Sequence, residues 1–322
     1  MDLDVVFLGT AGSTPTARRA PAATLIRRGG DRILLDCGEG TQRQLLRSQI
    51  GLVDLDVVLF SHYHADHVLG LPGLLKTYDL RGREQGLELY GPSGLSELLT
   101  IFAPIVGRLG FPLHARELAN AEEVPGDGYR LIAHSVDHRG PAVAWELCED
   151  ERPGQFDLDE ARRLGVPEGP AFGELQRGGS VTTPAGAVVM PAAVLGPPRR
   201  GRTLVFSGDT RPCAAVRRAA LGAELLVHEA SFSSEDAERA RETRHSTAAE
   251  AAELAAASEV KLLALTHLGA RATPRMIKDE ARAVFANTVV PRDFDTIELP
   301  LPERGAPELR RGGAHPDEER AP

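Results

Sequence analysis

Short apolar runs separated by polar and Gly-rich turns recur along the chain, and most are too short for helices. Residues 3–8, 23–26, 32–35, 57–60, 87–90, 113–117, 129–135, 142–147, 203–207, 223–227, 261–265 and 296–299 read as strands. Helices are predicted from Thr41 to about Ile50, after His67 through Leu75 despite Pro72, and from near Ser93, a candidate cap. Further helical stretches cover residues 158–164, 246–257 and 275–285, so the chain reads as α/β. From about Glu149 to Pro184 charged, Gly and Pro residues dominate, as in Glu151-Arg152-Pro153-Gly154 and Gly169-Pro170. That texture is expected of a surface arm or insertion. Residues 1–302 are thus expected to form one domain carrying an arm at about 149–184, and residues 303–322, poor in apolar side chains, a disordered tail.

Composition narrows the setting. Of 322 residues 42% are hydrophobic and only 5% aromatic, which predicts an aliphatic core. No apolar run approaches the roughly 18 to 20 residues that span a bilayer, and Met1-Asp2-Leu3-Asp4 lacks the basic start of a secretory signal, so no membrane association is expected. Cys37, Cys148 and Cys213 are far apart and odd in number, unlike a disulfide framework, and fit a reducing cytoplasm. The net charge of -9 argues against general phosphate binding over the whole surface, although arginines cluster locally, as at Arg18-Arg19 and Arg199-Arg200. Such clusters are first read as solvated faces.

The candidate chemistry follows the strand at 57–60, where Ser61-His62-Tyr63-His64-Ala65-Asp66-His67 packs three imidazoles and a carboxylate into seven residues. Imidazole nitrogen and carboxylate oxygen are donors that zinc accepts, and four donors this close can be shared between two ions. If the strand ends at Phe60, His62 and His64 stand two apart on an extended backbone and face the same way, with Asp66 and His67 beyond the turn. A helical His-Glu-x-x-His site has a different spacing. In open α/β architectures sites assemble at the carboxyl ends of strands. That rule adds His138, Asp209 and His267, whereas His114 and His315 lack the context. Asp209 is placed either to bridge two ions roughly 3.5 to 4 Å apart or to cap its strand end. His134 and His138 compete for one ligand slot, and position alone does not separate them. The Gly-rich loop Gly9-Thr10-Ala11-Gly12-Ser13 lacks the Gly-Lys-Ser/Thr ending of a phosphate-binding P-loop.

Several longer segments sharpen this picture: Phe7-Leu8-Gly9-Thr10, Asp36-Cys37-Gly38-Glu39-Gly40-Thr41-Gln42, Val68-Leu69-Gly70-Leu71-Pro72-Gly73-Leu74 and Asp137-His138-Arg139-Gly140-Pro141. Ser207-Gly208-Asp209-Thr210-Arg211-Pro212, His228-Glu229-Ala230-Ser231-Phe232, His245-Ser246-Thr247 and Leu265-Thr266-His267 complete the set. With these, the chain to about Pro302 resembles the bacterial ribonuclease Z (tRNase Z) family of the metallo-β-lactamase superfamily. The resemblance implies an αβ/βα sandwich, two mixed sheets face to face with helices outside, assembled as a homodimer. It implies two zinc ions per chain, with His62, His64 and His138 on one, Asp66, His67 and His267 on the other, and Asp209 bridging. It also implies precursor tRNA as substrate, cut just 3′ of the discriminator nucleotide to leave a tRNA 3′-hydroxyl and a 5′-phosphate on the trailer, with the arm gripping the tRNA elbow. The expected chemistry is attack on the phosphodiester by a metal-activated hydroxide, with Asp66 orienting or deprotonating the water. His245 is the candidate general acid and Glu229 its orienting partner; alternatively His245 caps the following helix and Glu229 is structural. Two departures from the family pattern, Ala20 where Asn often follows Arg and Ala144-Trp145 where Gly-Tyr is common, are expected to touch substrate-side loops.

Overall fold

The computed structural model describes residues 1–312. In chain order its elements are β1 (Leu3–Gly9), β2 (Ala23–Arg28), β3 (Asp31–Leu35), α1 (Thr41–Arg47), β4 (Val57–Leu59), α2 (Ala65–Val68), α3 (Leu71–Leu80), β5 (Leu87–Gly91) and α4 (Leu95–Val106). Then come β6 (Leu113–Glu117), β7 (Glu123–Gly126), β8 (Tyr129–Ser135), β9 (Val143–Glu149), α5 (Leu158–Arg163), α6 (Pro170–Gln176), β10 (Val181–Thr182), β11 (Val188–Val189) and β12 (Thr203–Phe206). The chain continues with α7 (Ala214–Ala219), β13 (Leu225–Glu229), α8 (Ala237–Thr243), α9 (Ala248–Ala257), β14 (Leu262–Thr266), α10 (Pro274–Val284), β15 (Thr288–Val289), β16 (Thr296–Glu298) and β17 (Glu308–Arg310).

Two mixed sheets carry the fold, one of eight strands ordered β17-β16-β1-β2-β3-β4-β5-β6 and one of seven ordered β15-β14-β13-β12-β9-β8-β7. Strand alternation decides what each face meets. Val5 and Phe7 of β1 join Ile26, Ile33 and Leu35 against Trp145, Leu147, Phe206 and Val227 of the other sheet, one core between the two. The alternate residues Val6 and Leu8 face outward onto Leu45 of α1, Leu71, Leu74 and Leu75 of α3, and Phe102 of α4. Outside the second sheet, Val205, Leu226 and Leu263 pack on Val216 of α7, the alanines of α9 and Ile277 of α10. The layers are helix, sheet, sheet, helix, the αβ/βα sandwich that the resemblance implies.

Parallel pairing runs from β3 through β4 to β5, and from β12 through β13 to β14. The carboxyl ends of these strands deliver Asp36, the histidine loop, Asp209, Glu229 and His267. Among the described residues no helix is long and apolar enough to cross a membrane.

Several sequence expectations need correction. Asp66 and His67 lie on the single-turn helix α2 rather than in a loop, and β13 runs to Glu229, so His228 and Glu229 belong to the strand. The cap of α4 is Gly94, at φ 105, not Ser93. β7, α6, α7 and α8 carry no long apolar period and escaped the pattern reading. Ala144 and Trp145 are buried within β9, so they belong to the core rather than to a loop. Residues 308–310, expected to be disordered, pair antiparallel with β16, Leu309 opposite Ile297. The remainder of that expectation, and His315, fall on residues 313–322, outside those described.

Residues Glu149–Arg202 form a compact unit separate from Met1–Cys148 with Thr203 onward. It is wider than the expected arm because backbone bridges pair Arg152 with Arg199 and Phe156 with Leu195, drawing residues 185–202 into it. Pro170 opens α6, a position that needs no amide hydrogen. Ala161, Val166, Leu175, Val189 and Val194 make a small core of its own. A buried ion pair, Arg202 Nε to Glu149 Oε2 at 2.7 Å, closes its ends.

Trp145 is 1% exposed and its indole N–H donates to Phe60 O at 3.1 Å, tying the second sheet to the strand end that starts the histidine loop. Trp145→Ala is expected to cost about 3 to 5 kcal/mol through the cavity and the lost bond, read as a lower urea midpoint. An unchanged midpoint would show that the core closes over the gap.

Candidate metal centre

The histidine loop is shaped from below by Asp36. Its carboxylate accepts from Ser61 N and from Ser61 Oγ, both at 2.8 Å, which pins the first residue after β4. The next residues stay extended, and His62 Nε2 and His64 Nδ1 come within 3.0 Å of each other. The turn of α2 then swings Asp66 and His67 to a second side of the same pit. Asp209 arrives from β12 through Gly208, at φ 57, where a Cβ would stand 2.7 Å from Ser61 Cβ. Only glycine fits that close turn comfortably.

Five imidazoles and two carboxylates meet there in two mostly buried groups, His62, an exposed His64, His138 and Asp209 in one and a half-buried Asp66, His67 and His267 in the other, the donor atoms of each within 4.8 Å of one another. Asp209 Oδ2 stands between them, 3.7 Å from His62 Nε2, 3.5 Å from His67 Nε2 and 3.2 Å from His267 Nε2. His134 is elsewhere: its Nε2 lies 2.8 Å from Glu146 Oε2. His114 is exposed on β6.

Whether these residues suit metals is decided by their second nitrogens. A ligating imidazole ordinarily donates its far N–H to an acceptor, which fixes tautomer and orientation. His67 Nδ1 donates to Asp36 Oδ2 at 2.7 Å, and His138 Nδ1 to Arg244 O at 3.0 Å. Ser61 Oγ, which donates to Asp36, accepts from His62 Nδ1 at 3.0 Å. Ser231 Oγ donates to Glu229 Oε2 at 2.6 Å and accepts from His267 Nδ1 at 2.8 Å. Four Nε2 atoms are thereby aimed into the pit, and the donor sets fit divalent ions with nitrogen and oxygen preference.

The electrostatics agree. Burial, and His67 beside it, hold His62 well below the usual histidine range, and burial also lowers His64 and His138, so these rings are neutral and able to ligate. Burial opposes ionisation of Asp66 and Asp209, but the facing imidazoles His267 and His67 outweigh it and hold both carboxyls below the ordinary range. Conversely Asp209 draws His67 and His267 upward against their burial. A divalent ion takes the place of those protons when it binds.

Glu229 and His245 stand beside this pit. His245 Nδ1 is 2.8 Å from Glu229 Oε1 and 3.8 Å from Asp209 Oδ2. Burial pulls the imidazole down, but the Glu229 carboxylate, with Asp209 and Asp66 behind it, raises its pKa to about 9. Metal ions would offset the two aspartates and leave the Glu229 contribution. Helix α9 is capped by Thr247 in a reciprocal box with Glu250, so His245 is not its cap. The donor atom of His245 also lies within 4.8 Å of those of Asp209 and His267, a third grouping at the pit, and its ring is 4.9 Å from that of His138.

Sequence reasoning missed Asp36, Ser61, Ser231 and the Arg244 carbonyl. Asp36 alone carried a signal, a carboxylate at the end of a buried strand next to the one that bears the loop.

Comparison with known proteins gives a consistent result. Residues 17–173 match the family described as Metallo-beta-lactamase superfamily. The chain is 44% identical over 301 residues to Ribonuclease Z of Methanosarcina acetivorans, covering 92% of this chain and 98% of that protein. It is 47% identical over 303 residues to Ribonuclease Z of Myxococcus xanthus, covering 93% and 98% respectively. Among solved structures, the short form of human tRNase Z superposes with a TM-score of 0.66 at 25% identity, covering 92% of this chain and 99% of that one.

If Asp36 orients His67 for ligation, Asp36→Asn is expected to weaken metal retention by about 10- to 100-fold. Competition against a chromophoric chelator measures this, and unchanged affinity would reduce Asp36 to a purely structural role.

Proposed function

The chain belongs to the ribonuclease Z family, and on that premise we propose that it is an endoribonuclease that removes the 3′ trailer of precursor tRNA, hydrolysing the bond just 3′ of the discriminator nucleotide. The observation that carries this reading is the convergence of seven donors, Asp209 among them, into two adjoining groups, with the Glu229–His245 pair at their rim.

We read the ions as zinc, two per chain, held by His62, His64 and His138 on one side and Asp66, His67 and His267 on the other, with Asp209 shared. When bound, a divalent pair supplies an activated water and neutralises charge on the phosphoryl oxygens. The rest of the work falls to the chain. Asp66, fixed by His267 and by the Ser13 amide, orients or deprotonates the water. His245, with Nδ1 engaged by Glu229, keeps Nε2 free to protonate the departing ribose 3′-oxygen as the P–O bond breaks. The new bond from water to phosphorus leaves the 5′-phosphate on the trailer. Glu229 also accepts from Thr210 N at 2.7 Å, so the residue after Asp209 and the imidazole share one anchor.

Unit Glu149–Arg202 is the candidate tRNA-gripping arm. A homodimer is the assembly that the resemblance implies, and three cysteines without a disulfide suit the cytoplasm.

Incubating the zinc-loaded protein with a 3′-extended tRNA and mapping both new ends tests the reading. A 3′-hydroxyl after the discriminator and a 5′-phosphate are expected; cleavage elsewhere, or none, would overturn it. Under single turnover, His245→Ala with both ions retained is expected to be slower by about 10² to 10⁴-fold. A rate equal to wild type would remove His245 from the chemistry.

A further inference from the structure

The Gly-rich loop after β1 is not a phosphate cradle, yet it lies directly on the second donor group. Ser13 N donates to Asp66 Oδ2 at 2.8 Å. Gly12 packs so closely on His267 that a Cβ there would stand 2.6 Å from His267 O and 2.7 Å from its Nδ1. Leu268 N donates to Thr10 O at 3.1 Å and Gly12 N to Leu268 O at 3.0 Å, which brackets Leu268, the residue directly after His267, between two backbone bonds. That bracketing matters because His267 is held at φ 55, a left-handed conformation that a β-carbon residue adopts only when its surroundings enforce it.

The loop in turn is fastened at one point. Asp293, between β15 and β16, accepts from Thr10 Oγ1 at 2.7 Å, from Ala20 N at 2.7 Å and from Gln44 Nε2 at 3.1 Å. It therefore grips both ends of the loop and ties them to α1. Arg19 closes the same knot, donating to Thr10 Oγ1 at 2.5 Å and to Pro291 O at 2.9 Å. Ala20, one of the departures from the family pattern, takes part through its backbone, its amide donating to Asp293 and its carbonyl accepting from Ala11 N at 2.9 Å.

We propose that Asp293 is a positioning residue for the Asp66, His67 and His267 group, acting through the loop 10–20, which it locks over Asp66 and His267. It touches neither ion nor substrate. The proposal rests on the two-metal reading of the donor groups but not on the identity of the RNA.

Metal binding is the readout, measured on the full chain by chelator competition together with elemental analysis. Asp293→Ala is expected to weaken one of two ions by about 10- to 100-fold while the other is held as in wild type. Asp293→Asn, which keeps an acceptor for Thr10 or Ala20, should recover part of that loss, and the melting temperature of the metal-free protein should not follow the same order. Should Asp293→Ala fail to fold, Thr10→Val removes the two bonds that Thr10 Oγ1 makes in the knot, to Asp293 and from Arg19, and is expected to shift the same ion in the same direction. Equal weakening of both ions, no weakening of either, or a wild-type protein that holds a single ion would each overturn the proposal. Failure of the tRNA assay with the selective ion loss intact would strike the substrate assignment alone.

Discussion

Asp209 sits 3% exposed with one carboxylate oxygen facing His62, His67 and His267, and most of the structure around it is arranged to make that placement possible. A buried carboxylate among imidazoles is stable only when charges balance and every remaining polar atom is bonded. The two sheets meet this condition by ending their parallel strands at one edge. Strand β3 brings Asp36, β4 the histidine loop, β13 Glu229 and β14 His267, and each of these contacts a neighbour from another strand. The aliphatic core between the sheets sets the spacing of those strand ends. Metal chemistry and core packing are therefore one geometric problem here.

Ser13 at φ 60 and Arg244 at φ 61 take left-handed conformations in the loops beside the donor groups, and two strand-end residues without glycine's freedom do so at this edge, Asp36 at φ 56 and His267 at φ 55. Both touch the donor groups directly, Asp36 through His67 and His267 as a donor itself. Strain of this kind persists only where surrounding bonds over-determine it. For Asp36 those bonds are to Ser61 and His67; for His267 they come from the loop after β1 and from Ser231.

The histidine loop was legible in the sequence because its donors are local: His62, His64, Asp66 and His67 fall within six positions. His138, Asp209 and His267 were legible through a rule about strand ends, since each follows an apolar run. Of the partners that orient the imidazoles, Asp36 had its place at a strand end as a signal, whereas nothing in the spacing of Ser231 or the Arg244 carbonyl announces contact with a ring up to 106 positions away. Family resemblance selected His138 over His134; the structure supplies the physical difference, since His134 pairs with Glu146 across β8 and β9. Elements without an apolar period, such as α8 with only Ala240 buried, leave no trace that a pattern reading can use. The ordered residues 308–310 escaped for the same reason, as one leucine among charges supports a strand only when a partner edge is present.

The unit Glu149–Arg202 leaves the chain after Cys148 and returns at Thr203, and those two residues are opposite each other on antiparallel β9 and β12. Entry and exit are thus a single strand pairing apart. Lengthening a loop closed in this way costs little, since closure entropy grows only with the logarithm of length. The position behaves as a socket: an insert of different size or surface could be exchanged there by recombination with no change of register in the sheet. An insertion between these two positions leaves Leu147 paired with Leu204 and Trp145 with Phe206.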